Sequence, residues 1–312
     1  MAGYSNIIGR AEVSDALIPP QVISEIIKSA TEQSVLMTNA KRTAMSTKVA
    51  KQPILASLPS AYWVNGDTGL KQTDKQTWQG LTITAEELAV IVPIPNAVID
   101  DSNVPLWNEV KPSLAEAAGQ LIDQAALFGV NKPSSWPVAL IPGATAAGNV
   151  VEAGTGPDLG VDVANLAEMI DKTGFAINGF ATRPGISWTL RAMRDNSGRP
   201  IYNDALAGTG NPGLYGLPVT EVRNGSWDSD VAELLAVDWT KVIYGVRQDI
   251  TYDLFSEGVI SDDSGAVVLN LMQQDSKALR MVMRVGFQVA VPAARIFSGT
   301  RYPAGVLVPA GE

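Results

Sequence analysis

The chain has 312 residues, of which 46% are hydrophobic and 18% charged, and its formal net charge is −9. This composition is typical of a folded protein with one large or two smaller domains, and the acidic balance is unfavourable for a general nucleic-acid binder, which needs a basic surface. The chain has no cysteine and no histidine, which excludes disulfides, thiolate nucleophiles, cysteine metal sites and histidine general bases.

The N-terminal region predicts neither a signal peptide nor a membrane span. The sequence MAGYSNIIGRAEVSD lacks a basic region followed by an apolar run, and no apolar stretch approaches the roughly 20 residues needed to cross a bilayer. We therefore expect a soluble protein made in a cytoplasm. Pro20 and an apolar stripe predict a short amphipathic helix at the end of a loose arm, the alternative being an ordinary packing helix. The stripe consists of Val22, Ile23, Ile26, Ile27 and Ala30.

Residues 50–95 predict a long two-stranded ribbon with a wide, polar end. Its centre is WVNGDTGLKQTDKQTWQGLTI, which begins at Trp63 and contains turn-forming Asn-Gly and Thr-Gly pairs. Apolar residues alternate up to Ala85 and continue on the opposite parity from Leu88, a slip that predicts a β-bulge between them. An isolated ribbon is marginal in water, so its apolar residues need a third surface from the rest of the chain or from another copy.

Residues 105–129 predict a long amphipathic helix, because apolar residues recur at spacings of three and four. Gly129 is placed to end this helix. Pro112 is expected to break or kink it, with a restart at Ser113 through a capping box with Glu116. The predicted apolar stripe consists of Trp107, Val110, Leu114, Ala117, Leu121, Ala125 and Phe128.

The second half of the chain predicts a mixed α+β arrangement. Residues 131–160 are rich in Gly, Pro, Ala and Thr, so we expect a loop and a domain boundary there, followed by a helix over 161–173. Short strand candidates with many turns come next. In SKALRMVMRVGFQVAVPAARIF, the residues from Met281 to Val289 alternate, which predicts a long strand with one apolar and one mixed face.

No pattern in the sequence rises above background as an enzyme site, so we assign no catalytic, cofactor-binding or metal-binding residue. GTGNPG (Gly208 to Gly213) matches a dinucleotide-binding fingerprint without the required preceding strand and following helix, and it predicts a flexible loop. Asn224 begins a glycosylation sequon that is inert without a secretory signal. Ser187 lacks the flanking glycines of a nucleophile elbow and has no histidine to activate it.

Two acidic pairs, Asp100-Asp101 and Asp262-Asp263, are candidates for binding a hard cation. We expect instead that one pair caps the long helix and the other lies in a turn. A carboxylate-based enzyme with a mixed α+β fold is the alternative from a different functional class, and it requires a site that the sequence does not supply.

The order of the segments resembles the major capsid proteins of tailed bacteriophages, which have the Hong Kong 97-type fold. The resemblance covers the chain from about Leu17 to Gly299. LIPPQVISEIIKSATEQSVLM is similar to the N-terminal arm and helix of that family, and AYWVNGDTGLKQTDKQTWQGLTITAEELAVIVPIPNAVIDDS to its extended loop. WNEVKPSLAEAAGQLIDQAALFG is similar to its spine helix, and SGRPIYNDALAGTGNPGLYGLPVTEV to its axial-domain loop. The ending SKALRMVMRVGFQVAVPAARIFSG also fits the family.

The resemblance implies an α+β fold of the Hong Kong 97 type, divided into four parts. These are an N-terminal arm and short helix (1–49), an extended β-hairpin loop (50–86), a peripheral domain with the spine helix (87–136 and 249–290) and an axial domain (137–248 and 291–312).

The resemblance further implies a structural protein, not an enzyme, that needs no cofactor. It would self-assemble as pentamers and hexamers into an icosahedral head that encloses double-stranded phage DNA without sequence-specific binding. Assembly would take place in the cytoplasm of the bacterial host, and scaffolding, portal and decoration proteins are possible partners. The residues expected at contacts between copies are Trp63, Leu70, Lys71, Lys75, Trp78, Ile23, Ile27 and Tyr215.

Two alternatives stay open at this point. An encapsulin nanocompartment has the same fold and encloses cargo enzymes in place of DNA. Some members of the capsid family join subunits by a lysine–asparagine isopeptide bond, and Lys71 and Lys75 lie in the loop where such a lysine occurs, but the interpretation as two solvated lysines is favoured.

Overall fold

The computed structural model describes residues 34–64, 66, 68–102, 105–192, 213–262, 264–296 and 299–310. The predicted arm helix, with Ile23 and Ile27, lies outside the described residues, and so does the GTGNPG segment up to residue 212. The helices in the described part of the chain are α1 (Val35–Asn39), α2 (Asn96–Asp101), α3 (Leu106–Asp123), α4 (Leu140–Ala146), α5 (Leu159–Lys172) and α6 (Ile186–Ala192). None of them is long and apolar enough to cross a membrane.

The strands form three sheets within the described residues. They are β1 (Lys41–Ala44), β2 (Val49–Ser57), β3 (Thr77–Pro95), β4 (Val150–Glu152), β5 (Gly179–Thr182), β6 (Gly213–Leu214), β7 (Leu217–Glu221), β8 (Leu234–Val237), β9 (Val242–Phe255), β10 (Val259–Ser261), β11 (Val267–Asn270), β12 (Ser276–Val289) and β13 (Ala304–Val308). Short π-helical and 3₁₀ turns lie at Gln124–Phe128 and Trp239–Lys241.

The first sheet has five strands in the order β1-β9-β12-β3-β2. Its central strand β12 pairs antiparallel with both β3 and β9, which confirms the long strand predicted around Met281. The residues of the predicted apolar face, from Met281 to Val289, are buried at alternate positions, and Val282 on the other face is buried as well. Burial on both faces is expected for a central strand that a helix covers on one side and other segments cover on the other.

The predicted bulge between Ala85 and Leu88 is wrong, because β3 pairs with β12 in unbroken register from Ala85 to Pro95. The buried face of β3 changes for another reason. Ile83 and Ala85 pack in a cluster with Met45, whereas Leu88 packs with the side chains beneath α3. A strand of 19 residues is long enough for its two halves to be covered on opposite faces. Irregularities of register in this sheet lie instead between β9 and β12 and, in the ribbon, between Leu55 and Ser57 of β2.

The prediction of a long helix is confirmed by α3, but the predicted break is wrong, because α3 runs through Pro112 without interruption. Trp107 and Leu114 pack against the sheet on either side of the proline, and such packing outweighs the one backbone hydrogen bond that a proline cannot make. Gly129 ends the helical segment at φ 82°, as predicted. The buried face is formed by Leu114, Ala118, Ile122, Ala125 and Ala126, so the predicted stripe is wrong at the exposed positions Ala117 and Leu121.

The second large sheet has six strands in the order β4-β13-β8-β5-β7-β6. The helix α5 confirms the helix expected over 161–173 and packs Leu166 and Ile170 over Gly305 of β13. The loop expected over 131–160 is wrong in part, because it contains α4 and β4. One glycine of this segment, Gly143, is required by packing, because a Cβ at this position would lie 2.4 Å from the ring of Tyr302.

The contact between β3 and β12 requires a glycine at position 286. A Cβ on Gly286 would lie 2.8 Å from the carbonyl oxygen of Thr84 and 2.9 Å from a methyl group of Ile83, and the backbone oxygen cannot move aside cheaply. We expect Gly286→Ala to lower the free energy of unfolding by about 1–3 kcal/mol, measured by urea unfolding of the unassembled chain. Gly80→Ala is the matched control on β3, because a Cβ at that position would have no atom within 4 Å. Equal effects of the two substitutions would contradict the argument.

Candidate assembly surfaces

The residues 58–76 that join β2 to β3, called the extended loop below, are closed by their own polar contacts. The backbone N–H and the hydroxyl of Ser60 donate to one carboxylate oxygen of Asp74 at 2.6 and 2.5 Å. Across the loop, the hydroxyl of Tyr62 donates to the carbonyl of Gln72 at 3.0 Å. The guanidinium of Arg295 donates to the carbonyl of Pro59 and ties the loop base to the body. The loop is therefore a structured projection of the ribbon.

The hydrogen bonds from Ser60 hold the pKa of Asp74 at about 2, below its ordinary value of 3.8. A carboxyl whose pKa is lowered in the folded state stabilises that state at pH values above its unfolded pKa. This stabilisation is lost as the pH falls through the folded pKa. The closed form of the loop is thus favoured at neutral pH.

Three large apolar side chains of the ribbon are exposed. Trp63 is 100% exposed, Leu70 is 91% exposed and Trp78 is 67% exposed. Burial of aromatic and leucine side chains away from water is favourable, so the ribbon and its loop present an apolar surface that the described residues of the chain leave largely exposed. Their role as contacts between copies stays a prediction.

The remaining predicted contact residues divide between two places. Lys71 and Lys75 are exposed on the extended loop, beside the three apolar side chains. Tyr215 lies on the second large sheet, at the turn between β6 and β7, where its hydroxyl donates to the carbonyl of Gly160 at 2.7 Å. The structure therefore brings five of the predicted residues onto one ribbon and places Tyr215 apart from them.

A second exposed apolar surface, at the β10–β11 hairpin, was missed by the sequence analysis. Val259 on β10, Val267 and Val268 on β11, and Met272 just after it are each more than half exposed. The signal was present in the sequence, since valine-rich runs on both sides of a Ser-Asp-Asp-Ser-Gly turn predict a hairpin.

A groove between α3 and β3, called the helix–sheet groove below, has a volume of about 270 Å³. Leu88 and Ala89 of β3, Leu121 of α3 and Trp136 line it, and Glu86 lies at its rim. The indole N–H of Trp136 is buried and has no hydrogen-bond acceptor among the described residues. The groove was also missed by the sequence analysis, because its residues come from four separated segments.

A larger groove of about 500 Å³ lies beside α6 on the second large sheet. Trp188 and Arg191 of α6 line it together with Glu221 and Arg223. The guanidinium of Arg191 lies 4.9 Å from the centre of the Trp188 ring, and that ring is exposed. This groove is more polar and more charged than the helix–sheet groove.

The carboxylate of Asp123 joins three parts of the chain in the interior. It is fully buried on α3 and accepts hydrogen bonds from the Ser34 hydroxyl at 2.6 Å and from the Val35 and Leu36 N–H groups at 2.9 and 3.1 Å. The side-chain amide of Asn224 donates to it at 2.7 Å. One carboxylate therefore accepts hydrogen bonds from free backbone N–H groups at the N-terminus of α1 and holds the loop after β7 in place.

Burial raises the pKa of Asp123 above its ordinary value of 3.8, while the hydrogen bonds from Ser34, Leu36 and Val35 act in the opposite direction. A raised pKa in the folded state means that the group stabilises the fold most when it is protonated, and this contribution is lost as the pH rises through the folded pKa.

The residues considered for enzyme chemistry make hydrogen bonds within the chain that serve its structure. The Ser187 hydroxyl donates to the carboxylate of Glu221 at 2.5 Å, and Asn224 is buried beside Asp123. Within the described ranges, no group of three or more acidic side chains is placed to hold a metal ion.

The two acidic pairs have different outcomes. Asp100 and Asp101 lie at the end of α2, and α3 begins after Pro105 without a side-chain cap, so the expected helix cap is wrong. Asp262 confirms the expected turn, because its carboxylate accepts from the N–H groups of Ser264 and Ala266 between β10 and β11. Its neighbour at 263 lies outside the described residues.

A projecting ribbon, a long helix packed on a five-stranded sheet and a separate six-stranded sheet with helices define a shell-subunit fold of the Hong Kong 97 type. Comparison with known proteins agrees. The solved structure from Microbacterium phage Oxtober96 superposes with a TM-score of 0.86 at 38% identity, covering 97% of this chain and 99% of that one. The structure from Mycobacterium phage Adephagia gives a TM-score of 0.85 at 32% identity, covering 98% and 99%.

The model of the phage capsid family matches residues 15–297, and the chain belongs to this family. A curated relative, the major capsid protein of Staphylococcus phage 80alpha, is 26% identical over 283 residues, which cover 89% of this chain and 83% of the relative. The chain is therefore a phage major capsid protein, a subunit of the virion shell, and the encapsulin alternative is not favoured.

The pKa of Asp123 gives a pH-dependent prediction. We expect the free energy of unfolding of the natural chain, relative to Asp123→Asn, to decrease as the pH rises from about 4 towards neutrality, because the natural carboxyl becomes charged in a buried place and the amide does not. Urea unfolding of the unassembled chain across this range measures the difference. Asp171→Asn, at an exposed position of α5, controls for the change in net charge. A difference that grows with pH would contradict the prediction.

Proposed function

We propose that this capsid protein assembles through its extended loop into rings of five and six copies, and that these rings close into an icosahedral head around double-stranded phage DNA. The observation that carries the proposal is the fully exposed Trp63 at the end of a structured ribbon. A surface that is ordered, apolar and uncovered in the single chain is typical of a contact between copies. A head-to-tail contact of this kind closes into a ring when its rotation permits.

We further propose that the two large sheets correspond to the peripheral and axial domains of the shell subunit. The boundaries would be those expected from the sequence, with an extended β-hairpin at 50–86 that includes the extended loop, a peripheral domain at 87–136 and 249–290, and an axial domain at 137–248 and 291–312. The arm at 1–49 would carry the contacts of Ile23 and Ile27. In support, the five-stranded sheet contains the ribbon and the long helix, and the six-stranded sheet contains Tyr215 and the groove beside α6.

The protein would act without cofactor or catalysis and would be assembled in the cytoplasm of the bacterial host. Its formal charge of −9 would limit adhesion to the enclosed DNA, since affinity for nucleic acid depends on basic side chains. Scaffolding, portal and decoration proteins would be its partners.

The test of the proposed function is negative-stain electron microscopy of the purified protein after size-exclusion chromatography at several salt concentrations. Closed shells, or rings of five and six copies, are expected. A monodisperse monomer with an ordered ribbon at every salt concentration would overturn the proposal.

The substitution Trp63→Ala distinguishes an effect on assembly from an effect on folding. Because its side chain is fully exposed, Trp63→Ala should change the free energy of unfolding of the unassembled chain by less than about 0.5 kcal/mol. The loss of an aromatic anchor worth about 2 kcal/mol would weaken each contact roughly 30-fold, which sedimentation of assembled particles measures.

Trp227→Ala is the opposite control, because the Trp227 indole N–H donates to the carbonyl of Ala232 at 2.7 Å within the chain. That variant should unfold more easily. An unchanged particle yield for Trp63→Ala would contradict the proposed role of the loop.

A further inference from the structure

We propose that residues 291–296, called the brace below, fix the direction of the ribbon relative to the six-stranded sheet, and that Arg301 is the residue that positions the brace. The brace follows β12 and contacts the base of the extended loop on one side and the C-terminal end of α5 on the other. Its consequence for assembly rests on the proposed function, whereas the brace itself is a property of the single chain.

The brace holds the ribbon through two backbone carbonyl groups. The N–H of Ala293 donates to the carbonyl of Leu55 on β2 at 2.8 Å. The guanidinium of Arg295 donates to the carbonyl of Pro59, two residues beyond the end of β2. A hydrogen bond from a charged donor is stronger than one between neutral groups, so the contact at Pro59 is the firmer of the two.

The brace contacts the ribbon at the place where strand pairing fixes it least. The register between β2 and β3 shifts between Leu55 and Ser57. An irregularity of this kind interrupts the ladder of hydrogen bonds and bends the strand, so pairing alone does not determine the direction of the chain beyond it. The two contacts of the brace, at Leu55 and Pro59, lie on either side of this irregularity.

Arg301 joins the brace to the end of α5. Its Nε donates to the carbonyl of Thr173 at 2.7 Å, and its Nη1 donates to the carbonyl of Pro292 at 2.6 Å. Its guanidinium lies 4.6 Å from the centre of the Phe175 ring. Thr173 is the C-cap of α5, and the last carbonyl groups of a helix have no partner within it. One side chain therefore satisfies the helix end and holds the brace against it.

The packing of the brace agrees with these hydrogen bonds. Gly174, in the turn after α5, has φ 85°, and a Cβ at this position would lie 3.5 Å from the Cβ of Ala294. Val291 packs against the cluster that contains Phe287 of β12 and also against the cluster that contains Phe180 of β5. The brace therefore lies directly on the end of α5, and its first residue is held by the cores of both large sheets.

The connection is short and therefore stiff. Only two residues separate Pro292, which Arg301 holds, from Arg295, which holds the ribbon. Three residue steps span at most about 10 Å, so a displacement of the end of α5 is passed on to the base of the loop. A lysine at position 301 would keep the positive charge, but a single ammonium on a flexible stem does not reproduce two donors at a fixed separation and a flat face on an aromatic ring.

The natural absence of cysteine permits a spin-label test on the unassembled full chain. The test pair carries Thr68→Cys on the loop and Ala164→Cys on α5, both at exposed positions. The control pair carries Ala117→Cys, at an exposed position of α3, with Ala164→Cys, and it reports how the two large sheets sit relative to each other. Double electron–electron resonance measures the distance distribution of each pair, with and without Arg301→Lys.

We expect one narrow distribution for both pairs in the natural background. With Arg301→Lys, the distribution of the test pair should roughly double in width, because the brace loses its fixed attachment, while that of the control pair stays narrow. Arg183→Lys is the matched control substitution, since Arg183 pairs with Glu233 at 3.7 Å beside the second sheet and does not hold the brace; it should leave both distributions unchanged. An unchanged test pair in Arg301→Lys, or equal widening of both pairs, would overturn the inference.

Arg295→Ala is the second variant if Arg301→Lys does not fold. Arg295 is exposed, so its removal should leave the fold intact, and it should widen the distribution of the test pair without affecting the control pair. An unchanged test pair in this variant would equally overturn the inference.

The effect on assembly is measured separately. On the proposed function, a ribbon of variable direction should lower the yield of closed shells from Arg301→Lys, and an unchanged yield would contradict that consequence. Because the spin labels are read in the unassembled chain, failure of the natural chain to form particles would count against the proposed function and not against the brace.

Discussion

The pairing of β3 with β12 determines where the other parts of the molecule lie. Because the register is unbroken from Ala85 to Pro95, one strand both completes the five-stranded sheet and extends beyond it to form the ribbon with β2. A slip of one residue would turn Ile83 and Ala85 away from Met45 and would turn Leu88 away from α3. The position of the loop, the floor of the helix–sheet groove and the packing of the long helix all follow from this single register.

The buried carboxylate of Asp123 has the corresponding role between parts that are distant in the sequence. It joins the start of α1, 88 and 87 residues away, to α3 and to Asn224, 101 residues away on the loop after β7. A charge in the interior is tolerated when several donors surround it. The same group that connects the two large sheets is thus the one whose ionisation, in a buried place, opposes their packing.

Local periodicity predicted β12, α5, the turn at Asp262 and the end of the helical segment at Gly129, because each depends on residues close together in the chain. The restart expected after Pro112 failed because packing on the sheet overrides the local preference of proline. The parity change in β3 was detected correctly but was assigned to a bulge, since a sequence does not show which layer covers which half of a strand. The Asp123 contacts and both grooves require residues from separated segments, which no periodic pattern reports. Resemblance to a family supplied the shell-subunit class, and the residue-level surfaces came from the structure.

On the proposal that the extended loop forms the contacts between copies, its internal hydrogen bonds affect the rate and reversibility of assembly. Because Ser60 and Asp74, and Tyr62 and Gln72, already hold the loop closed in the single chain, little backbone freedom remains to be lost when the loop meets another molecule. Ordering of flexible segments is a main cost of association, so a preorganised loop reaches a given affinity with a small contact area. Small, rigid contacts separate readily when one forms alone and persist when ring closure engages two at once. A subunit placed in the wrong position can therefore leave before the shell closes around it.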